Sequence, residues 1–290
     1  MRAANRLSGR PLYAWRLYSS DGAPVQASNG IDVMPYEAIS ESTWPDLVIV
    51  CAGLGVQHFN EPRTLTWLRR QARRGTALGA ISTGTHLLAR ARLLDGCRCT
   101  IHWENLPGLM EEFPDVHATG SVFEIDRGRL TCSGGTAALD MMLHFIATRH
   151  GDEFAARLSS QFIHDRVRTP GDRQLMAEQA RLRVKSPRLG KAIYLMEANL
   201  ETPLPTAEIA RRTGVSSRQL ERLFLKYRGV SPRRFYLELR LRRARLLLLQ
   251  TGMSVLAVAL ASGFVSQSYF TKCYRECFGY TPTGERDRMA

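Results

Sequence analysis

A serine stands where a strand is predicted to turn sharply into a helix, in the segment Ala80 to Gly84. A side chain at such a turn can act as a nucleophile, because the helix N-terminus stabilises negative charge. A serine nucleophile also needs a base within hydrogen-bonding reach. Ser82 is followed by Thr83 rather than by histidine, and no motif places His86 or His102 beside it. Without a base the hydroxyl is inert near neutral pH, so the pattern argues against an enzyme.

The cysteines offer a second kind of chemistry, metal binding. Cys97, Cys99 and His102 could supply three ligands, but a structural tetrahedral site requires four. Cys273 and Cys277 lie one helical turn apart without a second pair. Six cysteines in 290 residues are also too few for a disulfide scaffold. We therefore predict six buried free thiols in a cytoplasmic protein, with no metal and no cofactor.

A third set of residues has the chemistry of DNA recognition. Two short segments carry amide, hydroxyl and basic side chains, which are the groups that reach base edges and phosphates in a major groove. The predicted DNA-contacting residues are Ser217, Arg218, Gln219, Arg222 and Lys226 in the first segment, and Ser266, Gln267, Ser268, Thr271, Lys272 and Arg275 in the second.

The two segments belong to an internal repeat with a spacing of about 50 residues. Each copy has a short apolar helix, a turn, a serine-capped second helix, and a closing glycine and proline. Gly214 and Gly263 occupy the turns, where glycine adopts a positive φ most easily. The pattern predicts two helix-turn-helix units, at about 204–228 and 254–278, joined by a helix from Pro232 to Gln250. Basic outer faces are often only solvated, but two matched copies favour DNA binding.

Helical spacing also predicts which side chains of this half are buried. The inward stripe of the second helices is expected to contain Leu220, Leu223 and Phe224 in the first unit, and Tyr269, Phe270, Cys273 and Tyr274 in the second. On the connecting helix, arginines are expected to cover one face, and the buried residues are expected to be Leu237, Leu241 and Leu248.

The distribution of charge supports this interpretation. Residues 1–165 carry 16 arginines and no lysine against 17 acidic residues, a net charge of −1. Residues 166–290 carry 24 basic and 10 acidic residues, a net charge of +14. This asymmetry indicates a neutral module joined to one with a polyanionic partner, either nucleic acid or an anionic membrane. No apolar run approaches the roughly 18 residues of a membrane helix, and the N-terminus does not resemble a signal peptide, so we expect no membrane partner.

The first half alternates predicted strands and helices, with glycine at many of the junctions. The predicted strands are Asp46 to Gly53, Thr76 to Ile81 and Arg129 to Ser133, and the predicted helices are Pro62 to Arg74, Thr85 to Leu94 and Thr136 to Arg149. A hairpin from Phe123 to Arg129 is expected near the sheet. The alternation predicts an α/β sandwich with a mostly parallel sheet, followed by an all-α domain.

The predicted domains are 1–165 and 187–290, joined by a polar, arginine-rich linker at 166–186. Within that linker a helical stretch is expected from Arg173 to Arg183.

Residues 190–285 resemble the AraC/XylS DNA-binding domain. The most specific similarity runs from Ala259 to Phe270 and from Phe278 to Pro282. The resemblance implies that two recognition helices enter successive major grooves on one face of double-stranded DNA.

The first half resembles the PfpI-like, class I glutamine amidotransferase-like domain of GlxA-type regulators. The similar segments are Pro45 to Gly53, Ile81 to Gly84, Leu93 to Gly96, Thr100 to Trp103 and Ser133 to Asp140. Catalytic relatives carry a cysteine at the sharp turn, often followed by histidine. This chain has Ser82 and Thr83 there, so the resemblance implies a ligand sensor rather than an enzyme.

The stretch His102 to Glu104, with Phe113 and Pro114, looks like the branch of this group that responds to arginine, carnitine or glycine betaine. A tryptophan face and a carboxylate suit a cationic amine. An equally simple interpretation makes Trp103 a core residue and Glu104 a surface charge. The effector-binding residues suggested by the resemblance are Gly53, Ser82, Thr83, His102, Trp103 and Glu104.

Relatives begin with a strand and a helix that precede the segment Arg2 to Gly9. In this chain those elements are expected to be missing, because either the start codon has been assigned too late or the sensor domain is damaged. The absence of the strand would leave an open sheet edge.

The leading hypothesis is a sequence-specific transcriptional regulator, with activation more common than repression in the family. The first domain would bind a small effector and form a homodimer, and the second would bind a promoter and, in an activator, meet RNA polymerase. Two alternatives stay open. One is an amidase or hydratase-type enzyme of the amidotransferase-like fold, and the other is a DNA-binding protein whose first domain only dimerises.

Overall fold

The computed structural model of the chain describes residues 1–174 and 186–287. The chain divides into two units after Gln174. Within the described ranges, no helix combines the length and the apolar character needed to cross a lipid bilayer.

The first unit is an α/β structure. Its strands are β1 (Tyr18–Ser19), β2 (Val25–Gln26), β3 (Asp32–Val33), β4 (Glu37–Ala38), β5 (Leu47–Ala52), β6 (Ala77–Ser82), β7 (Arg98–Thr100), β8 (His117–Thr119), β9 (Phe123–Asp126) and β10 (Arg129–Cys132). Its helices are α1 (Arg2–Ser8), α2 (Pro62–Arg73), α3 (Gly84–Arg90), α4 (Leu106–Glu112), α5 (Ala137–His150) and α6 (Asp152–Gln161), with a 3-10 helix at Val56–His58.

The central sheet of this unit has the order β5–β6–β10–β9. The first three strands are parallel, and Ile81 on β6 pairs with Cys51 on β5 and with Cys132 on β10. Strand β6 lies between two neighbours and is largely buried, with Leu78 and Ala80 fully covered, as expected for an apolar run inside a parallel sheet. Strand β5 is only half-buried and lies at the edge of the described sheet.

The smaller strands form three separate pairs. Strands β1 and β4 are parallel, β2 and β3 are antiparallel, and β7 and β8 are parallel. The sheets are therefore largely parallel, which confirms the predicted α/β class.

Two local predictions in this unit differ from the structure. The hairpin predicted near the sheet is part of it, because β9 pairs antiparallel with β10 and closes the second edge. Helix α3 ends at Arg90 rather than at Leu94, since Arg92 has a φ of +59° that no α-helix accommodates.

The segment 166–174 packs onto the first unit, although it was predicted to be linker. Arg168 donates to the buried Asp140 carboxylate from its backbone and its side chain, at 2.9 and 2.8 Å. Gln174 donates to the carbonyl oxygens of Ile101 and Ser121 at 2.9 and 3.0 Å. The first unit therefore extends nine residues beyond the predicted boundary at 165. In the helical stretch predicted from Arg173 to Arg183, the first two residues are not helical and the others lie outside the described residues.

The second unit is entirely helical where it is described. Its helices are α7 (Pro187–Glu197), α8 (Thr206–Thr213), α9 (Ser217–Arg228), α10 (Pro232–Gln250), α11 (Val255–Ala261), α12 (Gln267–Phe278) and α13 (Pro282–Asp287). Helices α8 and α9 form one helix-turn-helix unit, and α11 and α12 form the other. Each unit has its own apolar core, and α10 contributes to both, with Phe235 in the first core and Leu248 in the second.

The expected buried stripes match the structure except at Leu223, which is half-buried, and at Tyr269. Leu220, Phe224, Phe270 and Tyr274 are fully buried. Tyr269 is 50% exposed, because it occupies the third position of α12, where the corresponding residue of α9 is the outward-facing Gln219.

The connecting helix α10 has the predicted bounds, and Leu241 and Leu248 are buried, whereas Leu237 is only half-buried. Contrary to the prediction, not all of its arginines lie on a solvated face. Arg240 and Arg245 are half-buried and bind specific groups, a pair of carbonyl oxygens and the carboxylate of Glu285 respectively.

All six cysteines are free. Four are buried as predicted, but Cys51 is exposed and Cys277 is half-buried. Cys51 is uncovered because it lies on the edge strand β5.

Candidate nucleic-acid interface and effector site

The recognition helix of the first helix-turn-helix unit begins in a reciprocal cap. Ser216 Oγ accepts a hydrogen bond from the backbone N–H of Gln219 at 3.2 Å, and the Ser216 N–H donates to Gln219 Oε1 at 3.0 Å. This capping box satisfies two backbone donors and fixes the start of α9. The preceding turn is closed by Gly214, with a φ of +71°. Local contacts between residues 214 and 219 therefore define the start of α9 without a tertiary contact.

The second recognition helix has a simpler cap and a longer turn. Ser266 Oγ accepts from the N–H of Tyr269 at 3.3 Å, without the reciprocal bond. Gly263 has a φ of +76° and occupies the position equivalent to Gly214. The turn holds one additional residue, Val265, which is 98% exposed. The two recognition helices thus start with similar N-termini from turns of different length.

Most of the predicted DNA-contacting side chains lie exposed on the two recognition helices. The exposed ones are Ser217, Arg218, Gln219, Arg222, Lys226, Ser266, Gln267, Ser268, Lys272 and Arg275, whereas Thr271 is half-buried. Along the described chain, no ion pair neutralises the basic members of this set. Uncompensated cations on an exposed helix face are what a phosphate backbone attracts.

Two of these residues, Gln219 and Ser266, already use one polar atom each in a helix-cap hydrogen bond. The Gln219 carbonyl oxygen and the Ser266 hydroxyl both serve the caps, which leaves the Gln219 amide N–H groups as the free donors. Tyr269 was not predicted to contact DNA, yet its ring is exposed and it follows Gln267 and Ser268 at the start of α12. A hydrogen bond with Cys273 raises the pKa of Tyr269, so its hydroxyl stays protonated.

The sharp turn in the first unit has the expected strained geometry. Ser82 has a φ of +57°, which is uncommon for a residue with a side chain. A Cβ at Gly84 would overlap the carbonyl oxygen of Val50, and a Cβ at Gly134 would lie 2.9 Å from Ser82 Cβ. Only glycine fits at these two positions. Thr83 Oγ1 donates to the carbonyl oxygen of Gly53 at 2.7 Å, which joins the ends of β5 and β6.

Within the described part of the first unit, no side chain is placed to activate Ser82 as a base. Among residues 1–174, no hydrogen bond joins its hydroxyl to a titratable side chain. The nearby His86 is buried, and its Nε2 lies 3.0 Å from Glu112 Oε2. Burial tends to raise the pKa of Glu112, but His86 and Arg90 outweigh it and lower that pKa below its usual value. The histidine is therefore engaged in a structural contact with Glu112.

The segment that follows β7 holds the other predicted effector residues. Thr85 Oγ1 donates to the carbonyl oxygen of Thr100 at 2.8 Å, which fixes this segment against α3. Trp103 is 40% exposed, so it is not a core residue. Its ring lies 5.6 Å from the ring of His102, and His102 Nδ1 lies 3.6 Å from Glu104 Oε2. An exposed indole, an imidazole and a carboxylate therefore share one short stretch.

The predicted effector residues form two groups. Gly53, Ser82 and Thr83 meet at the carboxyl ends of parallel strands, where open α/β sheets place their ligands. His102, Trp103 and Glu104 form the other group. Within residues 1–174, no hydrogen bond, ion pair or ring contact joins the two groups directly.

The structure also contains a buried polar cluster that the sequence analysis did not identify. The fully buried Asp140 on α5 accepts from Arg168 and lies 2.7 Å from His164 Nε2. Arg168 also donates to Thr136 Oγ1 at 2.7 Å. Asp140 belongs to a segment that carried the family resemblance, but its partners are 24 and 28 residues away and show no local signal.

Comparison with known families agrees with this two-part architecture. A model described as "Helix-turn-helix domain" matches residues 209–288, and a model described as "DJ-1/PfpI family" matches residues 9–148. Together they cover both units.

Whole-chain relatives share the same order of domains. The chain is 49% identical to the HTH-type transcriptional regulator GbdR of Pseudomonas aeruginosa, over 99% of this chain and 78% of the relative. It is 39% identical to the HTH-type transcriptional regulator GlxA of Rhizobium meliloti, over 99% of this chain and 89% of the relative. A crystal structure of an AraC family transcriptional regulator from Pseudomonas putida matches 56% of this chain and 86% of its own, with 29% identity and a TM-score of 0.51.

These relatives are regulators rather than enzymes, and similarity to them extends over both units. The chain belongs to the GlxA-type AraC/XylS family of DNA-binding HTH-type transcriptional regulators, in which a DJ-1/PfpI domain precedes the helix-turn-helix domain.

Proposed function

We propose that α9 and α12 read the base sequence of a promoter and that the first unit binds a small cationic amine in the cytoplasm. The observation that carries the DNA part is the pair of exposed, uncompensated polar faces on the two recognition helices. In helix-turn-helix proteins, the N-terminal residues of the recognition helix meet base edges. Arg218 and Gln267 occupy such positions, while Arg222, Lys226 and Lys272 follow on later turns and meet phosphates.

The effector part is supported by the chemistry of the segment after β7. The exposed Trp103 offers a π face to a cation, and the carboxylate of Glu104 offers an opposite charge. Arginine, carnitine and glycine betaine all carry the matching cationic group. Gly53, Ser82 and Thr83 form the second part of the proposed site, at the strand ends. A homodimer, and contact with RNA polymerase in an activator, are proposed from the family alone.

The DNA proposal is tested by selecting binding sites from a random duplex library with the full chain. Gln267→Ala and Arg218→Ala should each relax preference at one base pair, by about 1–3 kcal/mol. Lys226→Ala is the matched comparison. Loss of a phosphate contact weakens binding to all DNA sequences alike and lowers the slope of log affinity against log salt concentration by about 1. Uniform weakening by the first two variants would contradict their assignment to base edges.

The effector proposal is tested by thermal unfolding of the full chain with arginine, carnitine or glycine betaine. All four tryptophans lie in the first unit, so their fluorescence follows that unit alone. One amine should raise the melting temperature, because a ligand bound only to the native state stabilises it. Trp103→Ala should abolish the shift and Glu104→Gln should reduce it.

Trp44→Ala is a suitable control for Trp103→Ala. Trp44 is 61% exposed and stacks under the Arg74 guanidinium, and among residues 1–174 no hydrogen bond or ring contact joins it to the predicted effector residues. The control should keep the amine-induced shift. If none of the amines stabilises a chain that still binds DNA, the effector proposal fails and a dimerisation role for the first unit is favoured.

A further inference from the structure

Two side chains on neighbouring turns of α10 bind different halves of the second unit. Tyr236 holds the loop between α7 and α8, which leads into the first helix-turn-helix unit. Its hydroxyl donates to the carbonyl oxygen of Asn199 at 2.5 Å and accepts from the N–H of Leu204 at 3.3 Å. Tyr236 is 5% exposed, so these bonds are shielded from water.

Arg240, one turn later, holds the turn of the second helix-turn-helix unit. Its Nε donates to the carbonyl oxygen of Ser262 at 2.9 Å, and its Nη2 donates to that of Gly263 at 2.6 Å. These carbonyls directly follow the C-terminus of α11, the end of a helix at which positive charge is favourable. The guanidinium also lies 4.2 Å from the centre of the Phe264 ring. Burial lowers the pKa of Arg240, as expected where protein groups replace water.

The loop and the turn that these residues hold also touch each other. A Cβ at Gly263 would lie 2.5 Å from the carbonyl oxygen of Leu200, 2.9 Å from that of Glu201 and 2.7 Å from Pro203 Cγ. The turn before α12 therefore rests directly on the loop before α8, with no space between them. We call this contact, with Tyr236 and Arg240, the α10 clamp.

We propose that Arg240 is a positioning residue that fixes the separation and rotation between α9 and α12, and so sets the DNA spacing that this chain prefers. The two helix-turn-helix cores are built separately, and α10 and its clamp join them. One inserted base pair moves the second DNA segment by about 3.4 Å and rotates it by roughly one tenth of a turn. A clamped pair of helices cannot follow such a shift, whereas a loosened pair can. The proposal rests on the proposed reading of DNA by both helices.

The experiment measures binding of the full chain to an operator selected from a random duplex library, and to the same operator with one base pair added or removed between its two contacted segments. The wild-type chain should bind the altered spacings at least about tenfold more weakly, a loss comparable to that of one mismatched base pair. Arg240→Met removes the carbonyl contacts but keeps an apolar side chain against Phe264. This variant should bring the ratio between spacings close to one. Arg240→Lys, which keeps a charge and a donor, should recover part of the discrimination.

Arg242→Met is the matched control. Arg242 is an exposed arginine of the same helix that makes no hydrogen bond or ion pair with the described residues. Its loss removes the same charge, so affinity should fall equally at every spacing and the ratio should stay at the wild-type value.

If Arg240→Met keeps the wild-type ratio of affinities between the DNA spacings, and its circular dichroism is unchanged, the proposal is overturned. If that variant does not fold, Arg240→Gln takes its place, because it keeps a long polar side chain but loses the charge and the paired donors to the carbonyl oxygens of Ser262 and Gly263. The same loss of spacing discrimination is expected, and a retained wild-type ratio would again overturn the proposal. A wild-type chain that binds DNA but ignores spacing would overturn this inference alone, whereas a chain that selects no DNA would overturn the proposed function.

Discussion

The two helix-turn-helix units share a sequence pattern but differ in what surrounds their turns. Gly214 and Gly263 have nearly the same φ, +71° and +76°, and each turn returns one hydrogen bond to the alanine four residues before its glycine. Around Gly214, no atom of the described residues lies within 4 Å of where a Cβ would be. Around Gly263, two backbone carbonyls occupy that space. The same turn glycine therefore lies in an open turn in one unit and packs against a neighbouring loop in the other.

The first helices of the units differ as well. On α8, Glu208 accepts hydrogen bonds from Arg211 and Arg212, which makes a charged outer face. On α11, the outer face carries Leu256 and Leu260, which are 49% and 54% exposed. The repeat thus keeps a serine cap on each recognition helix and an apolar core in each unit, whereas the outer surfaces differ. Besides the reciprocal cap of α9, the difference between the units lies in tertiary contacts and surface chemistry.

The largest test of this comparison replaces each turn glycine by alanine. Gly214→Ala should cost roughly 1–2 kcal/mol, the price of a positive φ for an L-residue. Gly263→Ala adds overlap with the carbonyl oxygens of Leu200 and Glu201, so its total should reach roughly 2–5 kcal/mol. The free energies of unfolding come from denaturant titrations of the full chain, followed by far-ultraviolet circular dichroism. Equal losses at the two positions would show that the Gly263 contact is not maintained in solution.

A smaller effect is expected at the caps, where the units should behave alike. Ser216 and Ser266 each accept one backbone N–H, so changing either to alanine should cost about 1 kcal/mol. Changing either to glycine should cost only a few tenths of a kcal/mol. The same denaturant titrations measure both pairs. If the two cap variants lose equal stability and the two glycine variants do not, the asymmetry between the units lies in the tertiary contact at Gly263. Unequal losses for the cap variants would instead assign it to the starts of the helices.

The comparison also shows what the sequence could reveal. The bounds of α10, from Pro232 to Gln250, follow from its proline, its apolar spacing and the glycine after it, so they were predictable. The exposure of Tyr269 was not, because helical spacing places it beside the buried stripe and only the position of the cap turns it outward.

Long-range contacts account for the remaining differences. No residue near Gly263 in the sequence signals that its turn is crowded, since the atoms that crowd it lie some sixty residues earlier, in the loop at Leu200 and Glu201. In the first unit, Asp140 binds Arg168 across 28 residues and so converts a predicted linker into part of the domain. The candidate effector residues were found from type and resemblance, but their division into two groups required the structure.

The smallest expected effect concerns the charged face of α8. Hydrogen bonds from Arg211 and Arg212 lower the pKa of Glu208 to about 2, against an ordinary value of 4.5. A lowered native pKa stabilises the fold above the unfolded value, and the contribution disappears as the pH falls through about 2. The difference in unfolding free energy between wild type and Glu208→Gln should therefore be small, shrink as the pH falls below 4.5, and weaken with added salt. Ala257 occupies the equivalent position of α11, and Ala257→Gln should show no such pH dependence. A wild-type advantage that persists unchanged at low pH would mean that the three side chains do not act as an ion pair.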